Sequence, residues 1–273
     1  MSKSSVLSVG DDELSPRIGC VPYLNARPLL YGLTYPVSEL VPAELCTDFR
    51  RGRFDVALLS SIDALSMPCP EVVDGISISS CGDVHSVILA YTGDVKALER
   101  VLLDPASHTS NALLRIILGE FYGCTPEYVH LSESEYENID LRTPLLLIGD
   151  RAIEFRKRLP FPDMHILDLG GEWYRYTGLP FVFALWSLRY EFTKKRFISD
   201  LLRKAKSEGL ARVETIAAAT ADPIFTLRYY SEWIRYELGD SEKQGLTVFA
   251  EYLNRFQLAG DTLFATCNKV EFF

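Results

Sequence analysis

The chain has 273 residues, 48% hydrophobic and 24% charged, with a formal net charge of −9 at pH 7. That length buries one large core or two of about 100–150 residues each, and the balance is that of an ordinary soluble globular protein. The acidic excess argues against a nucleic-acid binder held by phosphate contacts, although the local field in a pocket can still favour an anion.

Residues 1–16 are polar and acidic. With no apolar h-region they read as a disordered lead, not an export signal. Ile18 to Val21 is a short apolar strand running into a polar corner, Tyr23-Leu24-Asn25, and Pro28 then opens a helix. Proline suits the first helical turn because it lacks an N–H and its φ is already helical. Such a corner aims an amide and helix N–H groups at one spot, which favours anions. Pro42 starts a second helix with Leu45 and Phe49 on one face, Gly52 stops it, and Asp55 to Leu59 is a buried strand. Ser60 and Ser61 cap the next short helix. Gly75 to Ser80 is a further strand, followed by a corner at Gly82 to Ser86 and the apolar run Val87 to Tyr91.

A second alternating unit begins near Val95. Val101 to Leu103 is a strand, Ser107 to Ser110 a polar corner, and Asn111 to Tyr122 an amphipathic helix with Leu113, Ile117 and Phe121 on one stripe. Pro144 to Ile148 is a buried strand that ends in Gly149-Asp150, where Asp150 is placed to cap a helix. Trp173 to Tyr176 reads as lobe surface or cleft rim, with core packing of its aromatics an equal alternative, and residues 178–184 are extended. From Phe192 the pattern is mostly helical, with Leu227, Tyr230, Ile234 and Leu238 at helical spacing, then Leu246, Phe249, Leu253 and Phe256. Lys194-Lys195-Arg196 is a solvated helix face. Alternating strands and helices indicate an α/β architecture. The helical tail suggests two lobes with a ligand cleft between them: residues 17–92 with 186–273, and residues 93–185.

The six cysteines are scattered without a CxxC pair, so zinc or a redox dithiol is not expected. No run of 18 apolar residues is present, so no membrane span is expected and the cytoplasm is the default location. Four polar corners follow apolar strands: Tyr23 to Asn25, Ser60-Ser61, Gly82 to Ser86, and Ser107 to Ser110. Strand C-terminal ends are where open α/β sheets bind ligands. Corners converging on one cleft make a cage of neutral donors, suited to one or two carboxylates.

IGCVPYLNARPL, GRFDVALLSSIDAL, ISISSCGDVHSVIL, LLDPASHTSNALLRIIL and LLIGDRAI, in this order and spacing, resemble the chorismate dehydratases of the futalosine route to menaquinone. EWIRYELG and GLTVFAEYL extend the resemblance over roughly residues 17–260. It implies a type II periplasmic-binding-protein-like fold: two α/β lobes, a central cleft and a helical C-terminal segment. It also implies a hydro-lyase that converts chorismate to 3-[(1-carboxyvinyl)oxy]benzoate with no cofactor and no metal. The expected partner is small-molecule chorismate, with no nucleic acid and no membrane insertion, on a monomer or homodimer. Asn25 falls where the motif places the family's key polar residue. Asn25 and Ser86 are the catalytic candidates, and Tyr23, Ser60, Ser61, Gly82, Ser107, Thr109, Ser110 and Asp150 the substrate-binding ones. A neutral amide is no general base at pH 7, so the substrate's own enolpyruvyl carboxylate is expected to take the proton. His85 and His108 are tempting bases but read first as surface or supporting residues. Two alternatives stand beside this reading. One is the sister 1,4-dihydroxy-6-naphthoate synthase, whose Ser-Pro-Cys-Pro-Asn-like corner differs from Val21 to Asn25 here. The other is a non-catalytic protein that binds a small carboxylate.

Overall fold

Short apolar strands set a first sheet, described here with the rest of the chain from a computed structural model covering residues 15–105, 107–132, 135, 139–258 and 269–273. The expected lead lies outside these residues up to position 14, as does Cys267. β1 (Ile18–Cys20), β2 (Val37–Glu39), β3 (Val56–Ser60) and β4 (Glu71–Ser80) open the sheet. β1 and β3 are apolar, buried and parallel to each other, as strands covered on both faces are. The second sheet holds β5 (Val87–Thr92), β6 (Arg100–Leu103), β7 (Glu127–His130), β8 (Leu145–Ile148) and β9 (Met164–Asp168) in the order β7-β6-β8-β5-β9. β10 (Phe181–Leu188) and β11 (Glu271–Phe272) then return to the first sheet, whose order is β11-β4-β10-β3-β1-β2.

The crossings between the sheets fall at 81–86 and 178–180, earlier than the expected boundaries at 92–93 and 185–186. Val87–Thr92 pairs with β8 and β9 in the second sheet, and Phe181–Leu188 pairs with β3 and β4 in the first. The breaks sit where the backbone needs glycine, at Gly82 (φ 111°) and Gly178 (φ 69°). A left-handed φ there costs other residues energy. Beyond Gly178 only Leu179 and Pro180 precede β10, whereas the first crossing bends again at His85 (φ 65°) before β5 begins.

The helices are α1 (Arg27–Leu30), α2 (Pro42–Arg50), α3 (Ser61–Leu65), α4 (His108–Ile116), α5 (Gly149–Arg158), α6 (Leu169–Thr177), α7 (Lys195–Leu210), α8 (Val213–Ala218), α9 (Pro223–Arg228) and α10 (Asp240–Arg255). Pro42 begins α2, and Ser60 caps α3 by accepting the Asp63 N–H. α4 begins three residues before Asn111 and ends in a widened π turn, Ile117–Phe121. Trp173 is core, not rim. It is fully buried and meets Phe181 and Phe249 edge to face, while Tyr174 and Tyr176 stay exposed.

The expected single helix through Leu227, Tyr230, Ile234 and Leu238 is also corrected. α9 ends at Arg228, a π turn spans Tyr229–Trp233, and the chain is extended from Ile234. Its extended part satisfies the edge of β4. Ser79 N donates to Arg235 O (2.9 Å), Arg235 N to Ser79 O (2.8 Å), and Ser77 N to Tyr236 O (3.1 Å). Both serines are buried, and leaving their N–H groups unpaired would cost more than a helical turn is worth. Asp55 ties the start of the chain to the exit of β10, bonded to Arg17 and Arg189, each at 2.7 Å. Among the described residues no helix is long and apolar enough to cross a membrane.

Candidate active site

The polar corners meet at a cavity of about 70 Å³ between the two sheets, lined by Tyr23, Asn25, Ser60, Ser86, Ser107, Thr109 and Ser110 with apolar walls that include Val21, Leu58, Phe183 and Ile234. The corner at residues 23–26 follows β1 as a 3-10 turn, Leu24–Ala26. Tyrosines from the C-terminal segment grip its backbone. Tyr230 Oη donates to Leu24 O and Tyr236 Oη to Asn25 O, both at 3.0 Å. The Asn25 Oδ1 atom is buried and has no partner among the described residues.

Ser86 ends the crossing into β5. Its carbonyl accepts the Gly149 N–H at 2.7 Å, and Asp168 shapes the loop before it. The Asp168 carboxylate accepts from Val84 N (2.9 Å) and His85 N (2.8 Å) and is flanked by Arg156 at 3.2 Å. The Ser86 Oγ atom lies 2.7 Å from the Tyr229 hydroxyl. Ser107 caps α4: its Oγ accepts from Ser110 N (3.1 Å) and donates to Ser110 Oγ (2.9 Å). Thr109 Oγ1 accepts from Ile62 N at 3.0 Å, which joins the two sheets across the cleft.

Ser60 donates its hydroxyl hydrogen to Asp63 Oδ2 at 2.7 Å, and His108 Nδ1 lies 3.2 Å from Asp63 Oδ1. Burial alone would raise the Asp63 carboxyl, but the bonds to His108 and Ser60 outweigh it and hold it below the ordinary value. The same bond raises the His108 imidazole against the effect of its own burial. His85 goes the other way. It stacks on Trp233 with centroids 3.8 Å apart, and burial, reinforced by Arg156, lowers its pKa to about 4. Neither histidine lines the cavity.

The first turns of α3, α4 and α5 all border the cavity, through Ser60, Ser107 and Gly149. Their N–H groups supply a positive field without a charged side chain. The lining among the described residues contains no carboxylate, imidazole, ammonium or guanidinium. Such a cage can hold carboxylates by neutral donors and can orient a hydroxyl.

Three expected site residues lie elsewhere. Ser61 is fully buried and donates to Val182 O (2.6 Å), which ties α3 to β10. Gly82 forms the break before Val84, away from the cavity. Asp150 is exposed in the first turn of α5, outside the cavity lining, and the capping position is Ile148. Tyr229, Tyr230, Tyr236 and Asp168 were not singled out as functional by sequence reasoning. The aromatic density of residues 229–236 and an Asp just ahead of a helix were the available signals. A wider recess of about 1250 Å³ is lined by Arg50, Arg115 and Arg189 among others, but these guanidiniums contact Ser66, His130 and Asp55 respectively.

Comparison with known proteins identifies the family and the fold. A family model described as menaquinone biosynthesis matches residues 16–255. A Thermus thermophilus chorismate dehydratase is 34% identical over 257 residues, spanning 86% of this chain and 94% of that protein. An Archaeoglobus fulgidus crystal structure superposes with a TM-score of 0.67 at 16% identity, covering 89% of this chain and 98% of that one. A Candida albicans protein described as having the generic periplasmic binding protein fold superposes at 0.59 with 11% identity, covering 94% and 96%. These superpositions place the two sheets in the periplasmic-binding-protein-like fold. A match running through nearly all the described strands and helices, with a relative above 30% identity, means that this chain belongs to the menaquinone-biosynthesis family.

Proposed function

We propose that this chain is a cytoplasmic hydro-lyase that removes water from chorismate to give 3-[(1-carboxyvinyl)oxy]benzoate. The observation that carries the reading is the lining of the cavity: an amide, an aromatic hydroxyl and aliphatic hydroxyls, with helix N-termini behind them and no charged side chain among the described residues. Chorismate is a dianion, so it brings its own negative charge and its own base. The family relation supports the same substrate.

The reaction breaks the C3–H and C4–O bonds and makes the ring aromatic. The enolpyruvyl carboxylate takes the C3 proton, the C4 hydroxyl departs, and the two leave as the elements of water. Aromatisation supplies much of the driving force, so the protein's task is orientation. Ser86 and the Ser107–Ser110 corner hold carboxylate oxygens, each good charge-assisted bond contributing about 1.5–3 kcal/mol. The unpaired Asn25 Oδ1 accepts the C4 hydroxyl hydrogen and Ser60, its own hydrogen given to Asp63, presents lone pairs beside it. Apolar walls exclude water from the developing charge.

The test is purified protein with chorismate and no added cofactor. One equivalent of a benzoate 18 mass units (one water, by stoichiometry) lighter than chorismate should appear for each chorismate lost. Binding without turnover would instead make this a non-catalytic carboxylate binder.

A further inference from the structure

We propose that Tyr229 is a positioning residue that fixes the direction in which Ser86 points its proton, and so makes Ser86 a dedicated donor to the substrate carboxylate. The inference rests on the chorismate reading and extends it to a residue outside the cavity lining. Tyr229 is 1% exposed and sits at the start of the π turn, stacked on Phe225 with centroids 6.0 Å apart. Its ring has no room to swing. Its hydroxyl donates to Ser86 Oγ at 2.7 Å.

That arrangement sets a direction. The phenol hydrogen goes to Ser86 Oγ, and the Ser86 hydrogen is left for the cavity. The Asn25 Oδ1 atom, buried and without a partner among the described residues, is left as an acceptor. Burial raises the Tyr229 phenol well above its ordinary pKa, so it stays a neutral donor throughout the working range. The two lobes then present opposite polarities. Ser86 and Ser110, on the second-sheet side, offer hydrogens to a carboxylate, whereas Asn25 and Ser60, on the first-sheet side, offer lone pairs to a hydroxyl. A ligand carrying a carboxylate and a neighbouring hydroxyl is read in one orientation. Chains of hydrogen bonds running one way also polarise the last donor.

Without the phenol hydroxyl, Ser86 rotates among three staggered wells, of which one serves the substrate. That alone is about threefold, and loss of polarisation brings the expected fall in kcat/KM for Tyr229→Phe to about tenfold. The decisive experiment is a double-mutant cycle on chorismate turnover with wild type, Tyr229→Phe, Ser86→Ala and the double variant. If Tyr229 acts through Ser86, the double variant is no slower than Ser86→Ala within about twofold, and the two single variants shift KM and kcat in the same proportion. Additive losses, or a Tyr229→Phe enzyme indistinguishable from wild type, overturn the inference while leaving the chorismate reading intact. A wild-type protein without turnover defeats that reading instead. Thermal unfolding and near-ultraviolet dichroism report whether Tyr229→Phe is folded. Should it not be, 3-fluorotyrosine at position 229 keeps the ring and donates more strongly. It should match or exceed the wild-type rate, and a tenfold loss there would refute the role.

Discussion

Replacing Asn25 by Asp exchanges one amide NH2 for an oxygen and leaves the shape of the side chain unchanged. A substrate carboxylate held on the Ser86 side of the cleft is taken at about 5 Å from that oxygen. At an effective dielectric near 20 the repulsion is about 3 kcal/mol, or roughly a hundredfold in kcat/KM at neutral pH. The new carboxyl is also desolvated and faces a dianion, so its pKa rises above the ordinary carboxylate value. As pH falls through that raised value the group becomes neutral and again resembles an amide. The assay is therefore the ratio of kcat/KM for Asn25→Asp over wild type, followed from pH 8 down to pH 5. The ratio should start near one hundredth and climb toward acid. A flat ratio, or wild-type activity at pH 8, would refute the claim that Asn25 faces the substrate in an uncharged cage.

Thr109→Val keeps the volume of Thr109 but removes the acceptor for Ile62 N. Orphaning that N–H should cost about 1–3 kcal/mol, read as a lower Tm together with a higher KM for chorismate; an unchanged Tm would show that the cross-cleft bond contributes nothing. The Asp63–His108 pair should shape the pH dependence of stability. Asp63 sits below its reference value of 3.8 and His108 above its reference value of 6.5. The contribution is therefore full between those values, lost in acid as Asp63 protonates and lost in base as pH rises through the raised His108 value. His108→Asn should flatten the basic limb by at most about 1 kcal/mol, since the histidine is half exposed, as urea titrations at pH 6 and pH 9 would show. Asp55, raised by burial but overridden by Arg17 and Arg189, is held at about 2. Its share of stability is present above the ordinary carboxylate pKa and disappears only as pH falls through about 2. Asp55→Asn should cost about 2–3 kcal/mol at neutral pH, and a smaller loss would mean that the two arginines re-pair elsewhere.

Much of the architecture was legible because strand and helix signals here are local. The apolar run before Ser60, Pro42 at a helix start and Ser107 as a cap each carry their cause within a few residues, and each is found as read. The cavity was legible for the same reason, since Asn25, Ser60, Ser86 and Thr109 all lie at or just beyond strand ends. Where the reading failed, the cause was distant. Residues 229–238 keep helical spacing, but the unpaired edge of β4, about 150 residues earlier in the chain, draws them into an extended path. Asp168 shapes the Ser86 loop from the neighbouring strand β9, which is distant in sequence, and Tyr229 reaches Ser86 from the C-terminal segment. No periodicity records such meetings. Ser61 was misplaced because one strand end offers two adjacent serines, and a single step of the chain decides which faces the cavity and which bonds to Val182.

The most direct measurement is a crystal structure of the wild-type protein with 3-[(1-carboxyvinyl)oxy]benzoate bound. Its carboxylates should lie against Ser86 and the Ser107–Ser110 corner, with Asn25 Oδ1 facing the ring carbon that lost its hydroxyl. Electron density for the ligand in the wider, arginine-bordered recess, with the serine-lined cavity empty, would contradict the assignment.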